Sequence, residues 1–358
     1  MIYVHVPFCK SFCTYCDFYS EIRSEKVQNL FMRELTEEIE ARRDEITSTL
    51  ALNTLYIGGG TPSVLPLSAI AGIADALGCP PPDEFTVEVN PEDIACKGPA
   101  YARGLREAGV NRISMGIQSF DDTLLRWMGR RHDSRRAVEA FGILREAGFD
   151  NIGIDLISGI SHLDDSVWKD TLRQAAALSP EHISAYQLSI EEGSALAAMV
   201  RDGRYEEADA EQCRRQYDIL CDTLAAAGYR HYEISNFAKP GREALHNSAY
   251  WRRQPYVGLG PGAHSLTFST PAHGNGREAD RRSWNSCTLP RWTSGSEILS
   301  PAEIREERIM LGLRTDRGIE PSEVEGKDIS SLEKCVGGRL RIPESEWFVS
   351  DAIIRDLI

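Results

Sequence analysis

The sequence predicts an α/β protein: a partial (β/α)6 barrel of the TIM type followed by a smaller C-terminal α+β domain. Three observations carry that prediction. Short β-branched runs alternate six times with amphipathic stretches, the pattern of parallel strands joined by helices. The residues with unusual chemistry fall where those runs end, the face that carries the site in barrels of this kind. After about residue 232 the alternation stops, and Pro-, Gly- and aromatic-rich sequence follows from Asn236 through Trp292. The expected division is therefore a barrel over 1–232 and a second domain over 233–358.

In chain order, the strands expected are IYVHV at 2–6, NTLYI at 53–57, FTVEV at 85–89, NRISMGI at 111–117, NIGIDLI at 151–157 and HISAYQL at 182–188. The first runs into Cys9, Cys13 and Cys16, and the second into Gly58-Gly59-Gly60-Thr61-Pro62. The third carries Glu88 and Asn90, the fourth ends at Gln118, the fifth carries Asp155 and the sixth Gln187. Between the first two, Val27, Leu30, Phe31, Leu35 and Ile39 make one apolar helical stripe. Helices near 134–147 and 209–227 stop at Gly148 and Gly228, which suit a left-handed cap. In the second domain Thr267–Thr293 reads as a long, mobile loop, and helical sequence returns near Glu303–Leu313.

Composition narrows the function classes. A net charge of −14 over 358 residues is opposite to the basic footprint of a nucleic-acid binder. No apolar run reaches eighteen residues, and the chain opens on strand-like MIYVHVPF, so neither a spanning helix nor a signal peptide is expected and a cytoplasmic location follows. The nine cysteines then read as reduced thiols or metal ligands. Only three cluster. Cys213 and Cys221, eight apart in a helix, share a packed face, and Cys79, Cys96, Cys287 and Cys335 have no partner at metal-binding spacing.

Cys9-x3-Cys13-x2-Cys16 puts three soft thiolates on one loop, a set suited to an iron–sulfur cluster or to zinc, with unligated thiols as the bland alternative. Structural zinc wants a fourth ligand, and no cysteine follows until Cys79. The glycine triplet alone marks a tight turn, and single charged residues at strand ends usually meet solvent. Their recurrence on successive strand ends argues instead for a site.

Tyr3-Val-His5-Val-Pro7-Phe8-Cys9 and Cys13-Thr-Tyr15-Cys16-Asp17-Phe18 resemble the opening signature of radical S-adenosylmethionine (radical SAM) proteins of the coproporphyrinogen dehydrogenase-like group. The resemblance implies a 4Fe-4S cluster on Cys9, Cys13 and Cys16, with S-adenosyl-L-methionine on the open iron and an electron donor for the cluster. It implies SAM contacts from Gly59, Gly60 and Thr61 of the GGGTP loop and from Glu88, Gln118, Arg130 and Asp155, with Tyr3 and Tyr15 packing the cofactor. Carboxylates can accept from ribose hydroxyls, and an arginine can pair with a carboxylate.

Two functions compete within that group, and the resemblance leaves open whether the chain is an enzyme. The oxygen-independent coproporphyrinogen III dehydrogenases carry another cysteine two places after the third ligand, where this chain has Phe18, and an N-terminal extension expected to be absent here. His246-Asn247-Ser248-Ala249-Tyr250-Trp251 looks instead like the HNxxYW motif of a haem chaperone family, which implies haem on His246 and transfer to acceptor haemoproteins such as respiratory enzymes. By itself a histidine beside Tyr and Trp is most often structural. Tyr256–Ser265 is also similar to the family, with His264 as a reserve ligand; His132, His231 and His273 carry no assignment.

Overall fold

The computed structural model describes residues 1–49, 52–269 and 279–358, so His273 lies outside the described residues. Six parallel strands stand side by side in chain order: β1 (Ile2–Val6), β2 (Thr54–Gly59), β3 (Glu84–Val89), β4 (Arg112–Gln118), β5 (Ile152–Ser158) and β6 (His182–Gln187). Each matches its sequence expectation to within two residues. The intervening helices form as the stripe argument requires; Glu25–Ala41 buries Phe31, Leu35 and Ile39. Helices Ser134–Glu146 and Ala210–Ala226 are each followed, after one residue, by a glycine at positive φ, Gly148 and Gly228.

Alternation along the strands divides the sheet into two faces of different chemistry. Val4, Ile57, Phe85, Val87, Ile113, Met115, Ile154 and Ile183 face the helices and are buried in one continuous apolar core. Tyr3, Tyr56, Glu88, Arg112, Ser114, Asp155 and Ser184 occupy the intervening positions and face inward. A lining this polar demands partners for its donors and acceptors, unlike the apolar layers that fill a packed barrel.

The chain beyond 232 stays on this sheet. The hairpin of β7 (Arg230–Glu233) and β8 (Asn236–Ala238) adds antiparallel to β6, and β9 (Val257–Leu259) adds parallel to β1. Between them helix Leu245–Trp251 closes the bottom of the barrel: the Glu84 carboxylate, at the N-terminal end of β3, accepts from the amides of Leu245 (2.8 Å) and His246 (3.0 Å). A separate core of Ile309, Leu313, Leu340, Ile342, Trp347 and Ile354 follows.

The expectation of one long loop over Thr267–Thr293 is corrected. β10 (His264–Ser269), β11 (Ala279–Asn285) and β12 (Ser294–Ile298) form an antiparallel sheet across that stretch, while 270–278 lie outside the described residues. Helix Pro301–Gly312 follows with a Ser300/Glu303 capping box.

Candidate functional site

The cysteine loop leaves β1 and is tied down from several sides. The Cys9 amide donates to Glu21 O (3.1 Å) and the Glu21 amide to Pro7 O (2.7 Å). Thr14 donates through its amide to Met128 O (3.0 Å) and through its hydroxyl to Trp127 O (2.7 Å), docking the loop on the segment after β4. Cys9, Cys13 and Cys16 all stay partly exposed. Burial pushes the Cys16 thiol up to about 11, so a metal would have to displace its proton.

Two donors reach the sulfurs. Arg130 Nη1 lies 3.3 Å from Cys13 Sγ, and Thr61 Oγ1 lies 3.4 Å from Cys9 Sγ. Among the described residues no three His, Cys, Asp or Glu side chains converge closely enough to hold a single metal ion, which leaves mononuclear zinc without a preformed site. A multi-iron cluster tolerates thiolates spread around its corners, and soft sulfur donors suit it.

The glycine loop fits because side chains are missing from it. A Cβ on Gly60 would stand 2.8 Å from the carbonyl oxygen of Phe8, the residue before Cys9. On Gly59, at φ +112°, it would stand 2.7 Å from the His5 ring. The Gly59 amide donates to Glu88 Oε2 (3.1 Å), and Tyr56 donates its hydroxyl to Glu88 Oε1 (2.7 Å). Burial, reinforced by Asp155 but opposed by the Tyr56 hydrogen bond, raises the Glu88 carboxyl to about 7.

Around the rim, Gly116, Gln118, Arg130 and Asp155 meet. A Cβ on Gly116 would lie 2.9 Å from Gln118 Nε2, 3.2 Å from Arg130 Nη2 and 4.0 Å from Asp155 Oδ2. Gln118 sits at φ +72° beside an irregularity in the β4–β5 register, a strained conformation for this residue that holds its amide at the rim. Its Oε1 and Arg130 Nε are buried without a hydrogen-bond partner among the described residues. Buried polar atoms are normally paired, so these two fit an absent polar ligand. Asp155 is raised by burial despite its hydrogen bond from Ser184 and the nearby Arg112.

Tyr15 and Tyr3 are both pushed up by burial; Tyr15 lies beside Arg130 and Cys13, whereas Tyr3 donates to or accepts from His5 Nδ1 (2.9 Å) deeper in the barrel. The structure thus gathers Gly59, Gly60, Thr61, Glu88, Gln118, Arg130 and Asp155 with the three cysteines on one rim. Sequence reasoning missed Asp93, wholly buried, which accepts from Lys10 of the cysteine loop (2.8 Å), from Arg131 (3.0 and 2.7 Å) and from Ser63 (3.0 Å). Its only signal is position, in the first turn of the helix after β3.

His246 lies elsewhere. The structure puts its ring at the closed, N-terminal end of the strands, against Thr54 at the start of β2. Nδ1 bonds Thr54 Oγ1 (2.9 Å), Nε2 bonds Tyr250 OH (3.2 Å), and the residue is 1% exposed. In this arrangement neither nitrogen is open to an iron. Burial brings its imidazole down to about 3, so it is neutral.

A model of the radical SAM superfamily matches residues 3–175. The chain is 32% identical to the haem chaperone HemW of Lactococcus lactis, over 94% of this chain and 87% of that one. It is 34% identical to HemW of Bacillus subtilis, over 92% and 87%. It is 33% identical to the mitochondrial radical S-adenosyl methionine domain-containing protein 1 of Bos taurus, over 89% and 74%. The solved structure of the coproporphyrinogen III oxidase HemN from Escherichia coli superposes with a TM-score of 0.77 at 20% identity, covering 99% of this chain and 89% of that one, a likeness of fold. The chain belongs to the HemW family of radical SAM proteins.

Proposed function

We propose that this protein is a haem chaperone of the cytoplasm, which holds haem and passes it to acceptor haemoproteins while carrying a 4Fe-4S cluster and S-adenosylmethionine on its barrel rim. The observation that carries the reading is the match to haem chaperones along nearly the whole chain. Phe18 at the position where the dehydrogenases have a further cysteine supports it.

When bound and reduced, the cluster supplies an electron to S-adenosylmethionine. In this reading Cys9, Cys13 and Cys16 hold the cluster, and Thr61 and Arg130 place donors on two of the sulfurs. Glu88 and Asp155 accept from the cofactor's hydroxyl or ammonium groups, Gln118 and Arg130 meet its polar edges, and Gly59 and Gly60 let backbone approach it. Tyr15 packs at the cysteine loop. The cluster implies an electron donor, and haem-dependent respiratory enzymes are the acceptors that the family resemblance suggests. No helix among the described residues is long and apolar enough to cross a membrane.

The test loads anaerobically reconstituted protein with haem, mixes it with an apo-haemoprotein, and follows the Soret band. Growth of the acceptor's band at the loaded protein's expense is expected, with no decarboxylation of coproporphyrinogen III in parallel assays. Repeated turnover of coproporphyrinogen III without haem retention would overturn the reading in favour of the dehydrogenase.

A further inference from the structure

If His246 is closed off, haem needs another seat, and the structure contains a cavity whose lining suits one. It measures about 330 Å³ and opens between the cysteine loop and the turn from β9 into β10. Its lining is largely aromatic, with Phe18, two-thirds exposed, Tyr19, Tyr250 and Tyr256, and it also includes Asp17 and the free thiol of Cys287. The rings of Tyr250 and Tyr256 meet edge to face at 4.7 Å. Tyr250 is the tyrosine of the His246–Trp251 motif, so the motif reaches this cavity through Tyr250 and not through its histidine.

Two imidazoles line the space, and they differ in availability. His5 is spent: Nε2 bonds Tyr19 O and Nδ1 bonds the Tyr3 hydroxyl, each at 2.9 Å. His264, the first residue of β10, is exposed, and its ring has no hydrogen-bond partner among the described residues. Partial burial, aided by Arg282, lowers its affinity for a proton, so a nitrogen lone pair is present at neutral pH.

We propose that haem sits in this crevice with His264 as its axial ligand and Phe18, Tyr250 and Tyr256 as its apolar walls, and that His246 is a positioning residue fixing Tyr250 from behind. The assignment rests on the haem-chaperone reading. An unbonded imidazole in a crevice that aromatic side chains also line is the chemistry a metalloporphyrin takes. The volume lies near the lower end of the range for small-molecule sites, about 300–1,000 Å³, so the crevice seats one edge of the macrocycle and leaves the rest in solvent. Partial enclosure suits a ligand that must be handed on. Asp17 and Phe18 directly follow Cys16 in this wall, which places the haem edge beside the cysteine loop and makes that loop's state felt in the crevice.

The test titrates haem into the full-length wild type, His264→Ala and His246→Gln, reading the Soret band for affinity and electron paramagnetic resonance for the axial ligand, with thermal melts to confirm folding. His264→Ala, at an exposed position, is expected to fold normally, lose the imidazole-ligated signature and bind haem weaker by about tenfold or more, with the signature restored by added imidazole. His246→Gln is expected to melt at lower temperature and keep the imidazole signature. Wild-type affinity and spectrum in His264→Ala overturn the crevice assignment and leave the haem reading standing. Absence of saturable haem binding by the wild type overturns both.

Discussion

Replacing Gly60 with alanine probes the contact that shapes the cysteine loop. The added methyl carbon would lie 2.8 Å from the oxygen, 2.9 Å from the nitrogen and 3.0 Å from the carbonyl carbon of Phe8. Ordinary contact begins near 3.4 Å, so the Phe8 backbone must retreat by about half an ångström. It has little room to do so. Phe8 is 1% exposed, its ring meets Phe31 edge-on at 5.2 Å, and the backbone on either side is held by Gly60 N to Val6 O (2.9 Å) and Cys9 N to Glu21 O (3.1 Å). Overpacking of this kind costs about 1–3 kcal/mol. Gly72, inside helix Leu67–Leu77, is the matched control: a Cβ there meets nothing within 4 Å, so alanine stabilises by about 0.5–1 kcal/mol. Urea unfolding should therefore move the two midpoints in opposite directions with the slope unchanged. Because Cys9 follows Phe8, Gly60→Ala should also retain less iron after anaerobic reconstitution. A Gly60→Ala protein with the wild-type midpoint and full iron would refute the reasoning.

Removing Asp93 as alanine leaves Arg131 partly buried without its carboxylate and should cost about 2–4 kcal/mol in urea; Lys10, half exposed, turns to water instead. Burial raises the Asp93 carboxyl, but the hydrogen bonds from Arg131 and Lys10 outweigh it and hold the group below its ordinary value. That stabilisation is present above the ordinary aspartate range and fades as pH falls, so the gap between wild type and Asp93→Ala should narrow below about pH 4. Glu233 has the opposite sign: burial raises it to about 7, so between the ordinary glutamate range and pH 7 the unfolded chain releases a proton that the folded one keeps. Wild-type stability should fall across that window by about 3 kcal/mol, and Glu233→Gln should flatten the pH profile; an unchanged slope would contradict this. His246→Ala deletes two buried hydrogen bonds and leaves a cavity under the barrel, for an expected loss of about 2–4 kcal/mol. An unaltered melting temperature would show the ring is not structural.

The parallel strands were legible because each alternates an apolar outer face with inward residues, as in Tyr3 and His5 between Ile2, Val4 and Val6. The rim was legible for a related reason: strand ends are where a barrel exposes polar groups, and the cysteine and glycine spacings are themselves distinctive. β8 and β9 escaped because three residues carry no period. β11 escaped because Arg281, Arg282 and Ser283 supply no apolar face. The location of His246 could not be read either: HNSAYW records which residues are neighbours in the chain, whereas the end of the barrel it closes is fixed by Glu84 and Thr54, some 160 and 190 residues away. Asp93 and Arg131 likewise meet only through the fold, across a sequence separation of 38.

The proposed function depends most directly on an open-coordinated cluster at Cys9, Cys13 and Cys16. Anaerobically reconstituted protein should bind about four irons and four sulfides per chain. After reduction, its electron paramagnetic resonance spectrum should change when S-adenosylmethionine is added, and Cys13→Ser should abolish the signal. A colourless protein holding zinc, or a reduced cluster whose spectrum S-adenosylmethionine leaves untouched, would contradict it.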